Sequence, residues 1–256
     1  MRPARFARWI AKAALAVALL GTGSARAEAK QPGWCAPELE ALSEGVCYFG
    51  AEAAAPRALV IFLHPLVGAG SSWQWDQQRL FARLAKAHRF SVLTPRGRLG
   101  IGPGRAKDIY AWPTSASMQE RYEDELIEEW SQARRKIERR EGPFSKVFVF
   151  GFSNGAYYAT SLAMRGRLPV DGYGVFAGGS GSKYLRLLGA KAERRAPIFV
   201  GYGTKDPAHR DQRELIAVLK SLGWKHRAKS ATVGHTVTED QLQSALRFLE
   251  VIAPAS

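Results

Sequence analysis

The sequence predicts an α/β protein: a mostly parallel sheet with helices on both faces. Three observations predict it. Short apolar runs recur along the chain, each closed by Gly or Pro, which is how strands buried on both faces read. Between them lie stretches with apolar residues every three or four positions, the signature of amphipathic helices. Of the 256 residues, 46% are hydrophobic and 23% charged, enough for one large domain with a sizeable core and unlike a disordered chain.

At the N-terminus, Arg2, Arg5, Arg8 and Lys12 form a basic stretch without an acid, Ala13 to Leu20 is a short apolar run, and Ala25-Arg26-Ala27 is a small-x-small pattern. This is the three-part layout of a secretory signal. Export is expected, periplasmic or extracellular, with residues 1–27 removed near Ala27. The apolar run is well short of the ~20 residues of a membrane span. The mature chain is therefore expected to have no span, with an uncleaved anchor as the alternative. The formal charge is +14, and residues 1–27 hold five basic and no acidic residues, leaving +9 of the +14.

Residues 28–56 read as an N-terminal extension with one edge strand, Val46 to Phe49. They hold both cysteines, Cys35 and Cys47. Export would place the pair in an oxidising compartment, so a disulfide is expected. The main domain is expected over 57–256. Its strands read as Ala58–Leu63, Ser91–Thr94, Lys146–Phe150, Tyr173–Ala177, Ile198–Tyr202 and Arg227–Val233. Helices are expected over 74–88, 117–140, 155–165, 211–222 and 238–252. In the clearest of them Tyr122, Leu126, Trp130, Ala133 and Ile137 share one face. Arg134, Arg135, Lys136, Arg139 and Arg140 crowd its C-terminal end, where cations suit the helix dipole. That placement reads as a solvated helix end, and no nucleic-acid partner is expected.

Gly151-Phe152-Ser153-Asn154-Gly155 fits G-x-S-x-G. The bare pattern is weak, but an apolar strand runs into it and a helix follows, the setting of a nucleophile elbow. A serine hydroxyl needs a base. Asp206 and His235 follow later, each just after a strand, in the order Ser–Asp–His that this architecture uses. Asp171 and Asp211 are lower-ranked acids because neither ends a strand, and His209 lies too near Asp206 in sequence. An oxyanion needs two N–H donors. Asn154 supplies one. The other comes from the loop after Leu63, where Pro65 has no N–H, which leaves Leu66, with Val67 as the alternative.

These residues resemble the α/β-hydrolase superfamily, in particular its secreted esterases of the polyhydroxybutyrate-depolymerase, feruloyl-esterase and dienelactone-hydrolase-like group. The matching pieces are the strand ending at His64, Thr94-Pro95-Arg96-Gly97, Gly151 to Ala156, Gly203-Thr204-Lys205-Asp206 and Gly234-His235. The resemblance spans about 57–252 and implies an eight-stranded or slightly reduced sheet, no metal or organic cofactor, and ester hydrolysis through an acyl-enzyme. One departure is His64-Pro65, where the family usually has His-Gly. The stretch from Gly178 to Pro197 leaves no room for a large lid. His64, Trp73, Trp75, Tyr110 and Trp112 stand in loops expected around Ser153, either as a substrate pocket or as loop packing. Arg96, Arg98 and Arg105 read either as holders of an anionic group or as a solvated loop. The activity expected is a secreted serine carboxylesterase acting on a small or polymeric ester. A serine peptidase and a non-catalytic binding protein on the same scaffold are the alternatives. The oligomeric state is not legible.

Overall fold

The computed structural model describes residues 33–51 and 57–252. The expected signal and its cleavage site lie outside them. In chain order the elements are β1 (Glu40–Ser43), β2 (Val46–Phe49), β3 (Ala58–Leu63), β4 (Val67–Gly68), α1 (Trp73–His88), β5 (Ser91–Pro95), β6 (Arg98–Leu99), β7 (Ile109–Ala111), α2 (Ala116–Glu141), β8 (Lys146–Phe152), α3 (Asn154–Met164), β9 (Gly172–Phe176), α4 (Lys183–Lys191), β10 (Ile198–Gly203), α5 (His209–Ser221), β11 (His226–Ala231) and α6 (Glu239–Phe248).

Eight strands form one sheet in the order β1-β2-β5-β3-β8-β9-β10-β11. From β5 onward neighbours run parallel, and β1 and β2 join antiparallel. The continuous apolar runs are explained by cover on both faces. In β3, Leu59, Ile61 and Leu63 point into a core shared with α2 to α5. Ala58, Val60 and Phe62 point into a second core against α1 and α6. No large lid covers the strand ends among the described residues. No helix among them is long and apolar enough to cross a membrane.

The helix expected over 117–140 is α2. Leu126, Trp130, Ala133 and Ile137 are buried along one stripe, and each large side chain so buried stabilises by about 1.5–3 kcal/mol. Its basic end is largely neutralised: Arg134 pairs with Glu138, Arg135 with Glu128, and Arg140 with Glu40 and Glu141. The helix expected to 252 is α6, which ends at Phe248.

Residues 33–51 are not an extension. β1 and β2 complete the sheet, so no domain boundary falls at 57. The sheet holds the eight strands that the resemblance implies, one more than the apolar runs mark, because β1 reads EALS and has only Ala41 and Leu42 as apolar residues. Cys35 and Cys47 are bonded across a separation of 12 residues, which ties Trp34, Ala36 and Leu39 to β2. A small second sheet, β4-β7-β6, lies in the loops beyond the strand ends.

Candidate active site

The chain turns from β8 into α3 at Ser153. Its backbone sits at φ 53, ψ −117, a left-handed conformation that costs an L-residue energy and persists where the surroundings enforce it. Here they do. A Cβ on Gly155 would lie 2.1 Å from the Leu63 carbonyl oxygen, and one on Gly151 would lie 2.3 Å from that of Gly155. Gly178, after β9, presses on the Ser153 carbonyl in the same way. The Ser153 N–H donates to the Phe176 carbonyl at 2.9 Å. The elbow is thus held backbone against backbone, and the hydroxyl projects from the sheet's C-terminal edge.

His235, after β11, has Nε2 2.9 Å from Ser153 Oγ. Its Nδ1 lies 3.1 and 3.0 Å from the two carboxylate oxygens of Asp206. Asp206 follows β10, is 1% exposed, and also accepts the Ala208 N–H at 2.9 Å. A carboxylate on Nδ1 fixes the tautomer that leaves Nε2 free to accept the serine proton. The lower-ranked acids have other partners. Asp171 accepts the Val147 N–H, and Asp211 accepts the Tyr157 hydroxyl at 2.5 Å. His209 bonds the Asp206 carbonyl.

Asn154 opens α3, where first-turn amides lack helical acceptors and the dipole favours negative charge. Its side chain is occupied: Oδ1 accepts the Trp112 N–H at 2.7 Å. Leu66 is 41% exposed in the facing loop. His64 lies behind that loop, 3% exposed. Its Nε2 accepts the Gly97 N–H at 2.9 Å, so Nδ1 carries the proton and donates to the Pro65 carbonyl at 2.5 Å. Trp112 Nε1 donates to the His64 carbonyl at 2.7 Å. The His64-Pro65 departure is therefore accommodated, with His64 bracing the loop. Burial pushes the His64 pKa down to about 4, so the ring is neutral at pH 7.

A cleft of about 550 Å³ opens over Ser153, lined by Leu66, Trp73, Phe152, His235 and Val237 among others. Of the five side chains expected around it, Trp73 alone is there. It stacks on Phe152 at 5.8 Å, and Phe152 stands 5.3 Å from His235. Phe152 is the variable position just before the nucleophile, and nothing in its sequence setting marks it as a wall of the cleft. The pocket expectation fails for His64 and Trp112, which are buried. Trp112 is 0% exposed and packs against Trp130 and Tyr158. Trp75 and Tyr110 do not line this cleft either: they stand near Arg96, across the Gly68–Ser72 turn. A second, mostly apolar cleft of about 630 Å³ lies beyond Asn154, lined by Pro103, Tyr157, Tyr184 and Leu185 among others. Among the described residues no group of three His, Cys, Asp or Glu gathers to hold a metal.

Residues 50–253 match the family model described as Phospholipase/Carboxylesterase. The chain belongs to this family. Family and fold agree with the superfamily that the elbow resembles, and the enzyme class is a serine hydrolase. The chain is 28% identical over 219 residues to acyl-protein thioesterase 1 of Debaryomyces hansenii, covering 76% of this chain and 90% of that protein. It is 24% identical over 225 residues to the Candida albicans protein of the same name, covering 79% and 95%. A solved Bacillus cereus carboxylesterase, 16% identical, superposes with TM-score 0.55 over 80% of this chain and 93% of its own. This member of the phospholipase/carboxylesterase family thus has the fold with the Ser153–His235–Asp206 chain in an open cleft.

Proposed function

We propose that the protein is an exported carboxylic-ester hydrolase working through an acyl-enzyme on Ser153. The observation that carries this is the unbroken hydrogen-bond chain Ser153–His235–Asp206 at a strained elbow. His235 Nε2 takes the Ser153 proton as Oγ attacks the ester carbonyl. The carbonyl oxygen, now negative, is held by the N–H groups of Asn154 and Leu66. Asp206 stabilises the imidazolium, which then protonates the leaving alcohol. Water repeats the attack on the acyl-enzyme and restores Ser153.

The leaving group must lie within reach of His235 Nε2, which assigns the alcohol to the cleft that His235 lines. The acyl group is then directed past Asn154 toward the apolar cleft of Tyr157 and Leu185. The name shared by the fungal relatives favours a second reading in which the scissile bond is a thioester; the same groups serve it, with a thiol leaving.

The test is turnover of 4-nitrophenyl butyrate and of a butyryl thioester. Ser153→Ala is expected to lose at least about a thousandfold in kcat on whichever is turned over. Equal rates for wild type and variant would overturn the mechanism. N-terminal sequencing of the protein recovered from outside the cytoplasm tests export, with Glu28 expected as the first residue.

A further inference from the structure

The cleft over Ser153 has a neighbour across the Gly68–Ser72 turn, about 510 Å³ in volume, whose lining includes Trp34, Glu44, Ser71, Ser72, Trp75 and Arg96. Ser71 lines both clefts. Arg96 sets the character of the second. Its guanidinium carbon sits 3.6 Å from the Tyr110 ring centroid and 5.1 Å from that of Trp34. Aromatic faces attract the cation but leave the in-plane N–H donors of a guanidinium unsatisfied. Arg96 makes no ion pair or side-chain hydrogen bond with any described residue, and its buried Nε has no partner. Arg98, two residues on, pairs with Glu125 and Glu129.

A solvated loop arginine needs no walls, and this one has a built clamp. The Arg96 N–H donates to the Gly45 carbonyl at 2.8 Å. Trp34 is held by the adjoining Cys35–Cys47 bond and by its indole N–H on the Glu44 carbonyl at 3.0 Å. Tyr110 is fixed in β7 by pairing with Val67. Partial burial also disfavours the cation, holding its pKa below the ordinary arginine value. A cation that is partly desolvated, immobilised and without an ion-pair partner is arranged to meet an anion.

We infer that this cleft is an anion subsite in which Arg96 takes a carboxylate or phosphate group carried on the alcohol side of the substrate. The alcohol side follows because the clefts adjoin at Ser71 on the side lined by His235. The assignment to substrate rests on the ester-hydrolase reading, whereas the anion site itself does not. Glu44, exposed, is the one carboxylate on the lining, and its charge opposes the ligand.

Two measurements test the inference. The first is binding of succinate and of inorganic phosphate to the Ser153→Ala protein by calorimetry. Affinity is expected to fall about tenfold or more in Arg96→Gln, as expected for a charge-assisted contact. The same loss is expected in Ser72→Asp, at a position whose side chain makes no cap hydrogen bond, because it places a negative charge in the cleft while a negative charge suits the start of a helix. Glu44→Gln is expected to tighten binding. No binding, or binding indifferent to all three variants, overturns the site even if Arg96→Gln should fail to fold. The second compares hydrolysis of the butyryl ester of 6-hydroxyhexanoate with that of hexyl butyrate. The ratio of kcat/KM, anionic over neutral, is expected to drop about tenfold in Ser72→Asp. An unchanged ratio beside lost anion binding overturns the substrate role. Absence of any hydrolysis by the wild type would refute the ester-hydrolase reading, and the binding measurement would still decide the anion site.

Discussion

Gly155 stands where the nucleophile's loop and the oxyanion loop touch, with no space for a methyl group between it and the carbonyls of Leu63 and His64. Gly155→Ala must push one of two backbones aside. A loss of roughly 1–3 kcal/mol in urea unfolding is expected. A fall of about a hundredfold in kcat is expected with it, since the N–H groups proposed to hold the oxyanion are displaced. His64 gives a pH-dependence of stability. Its pKa is lowered from 6.5 to about 4 by burial, so the folded state binds fewer protons than the unfolded one between those values. The contribution is fully present above about pH 6.5 and is lost as pH falls toward 4, amounting to about 3 kcal/mol. His64→Asn, measured by urea unfolding at pH 7 and pH 4.5, should remove most of that slope. A slope equal to the wild type's would show that the ring is not the group responsible. The sequence placed His64 in the loop but could not assign its two ring nitrogens, because their partners, Pro65 and Gly97, depend on how two loops meet.

The legible elements were those carrying a continuous apolar run or a long stripe. β3, β8 and α2 announce themselves because both faces of the sheet, or a whole helix face, must be apolar. β1 and the two-residue strands β4 and β6 do not, since so short a segment has no period. α4 is short and buries only Leu185 and Gly189, too little for an apolar stripe to show. The N-terminal segment shows the cost of reading composition alone: polar β1 belongs to the sheet because the Cys35–Cys47 bond and Trp34 hold the chain beside β2. That bond closes a short loop and is expected to contribute about 3 kcal/mol by restricting the unfolded chain. Reduction, or Cys35→Ala with Cys47→Ala, should lower Tm by several degrees. An unchanged Tm would mean that packing of Trp34 and Leu39 suffices.

At the scale of the molecule, the order Ser153, Asp206, His235 was legible because strand ends of a parallel sheet gather at one edge. Which aromatic residues wall the cleft was not, since Trp73 and Trp112 stand in equally loop-like sequence and only the packing sorts one to the surface and the other to the core. The net charge changed meaning in the same way. Much of it is paired along α2, whereas Arg96 lies in a cleft without an ion pair to any described residue. β11 ends the sheet at one side, with none of its residues buried and Arg227 and Lys229 among them. An open strand edge is a template on which other chains can polymerise, and charges on it act as a guard. Arg227→Val with Lys229→Val should leave the activity of the folded protein intact while light scattering on mild heating rises well above the wild type. The same residues that make the sequence look like a nucleic-acid binder would then be what keeps concentrated protein from gelling.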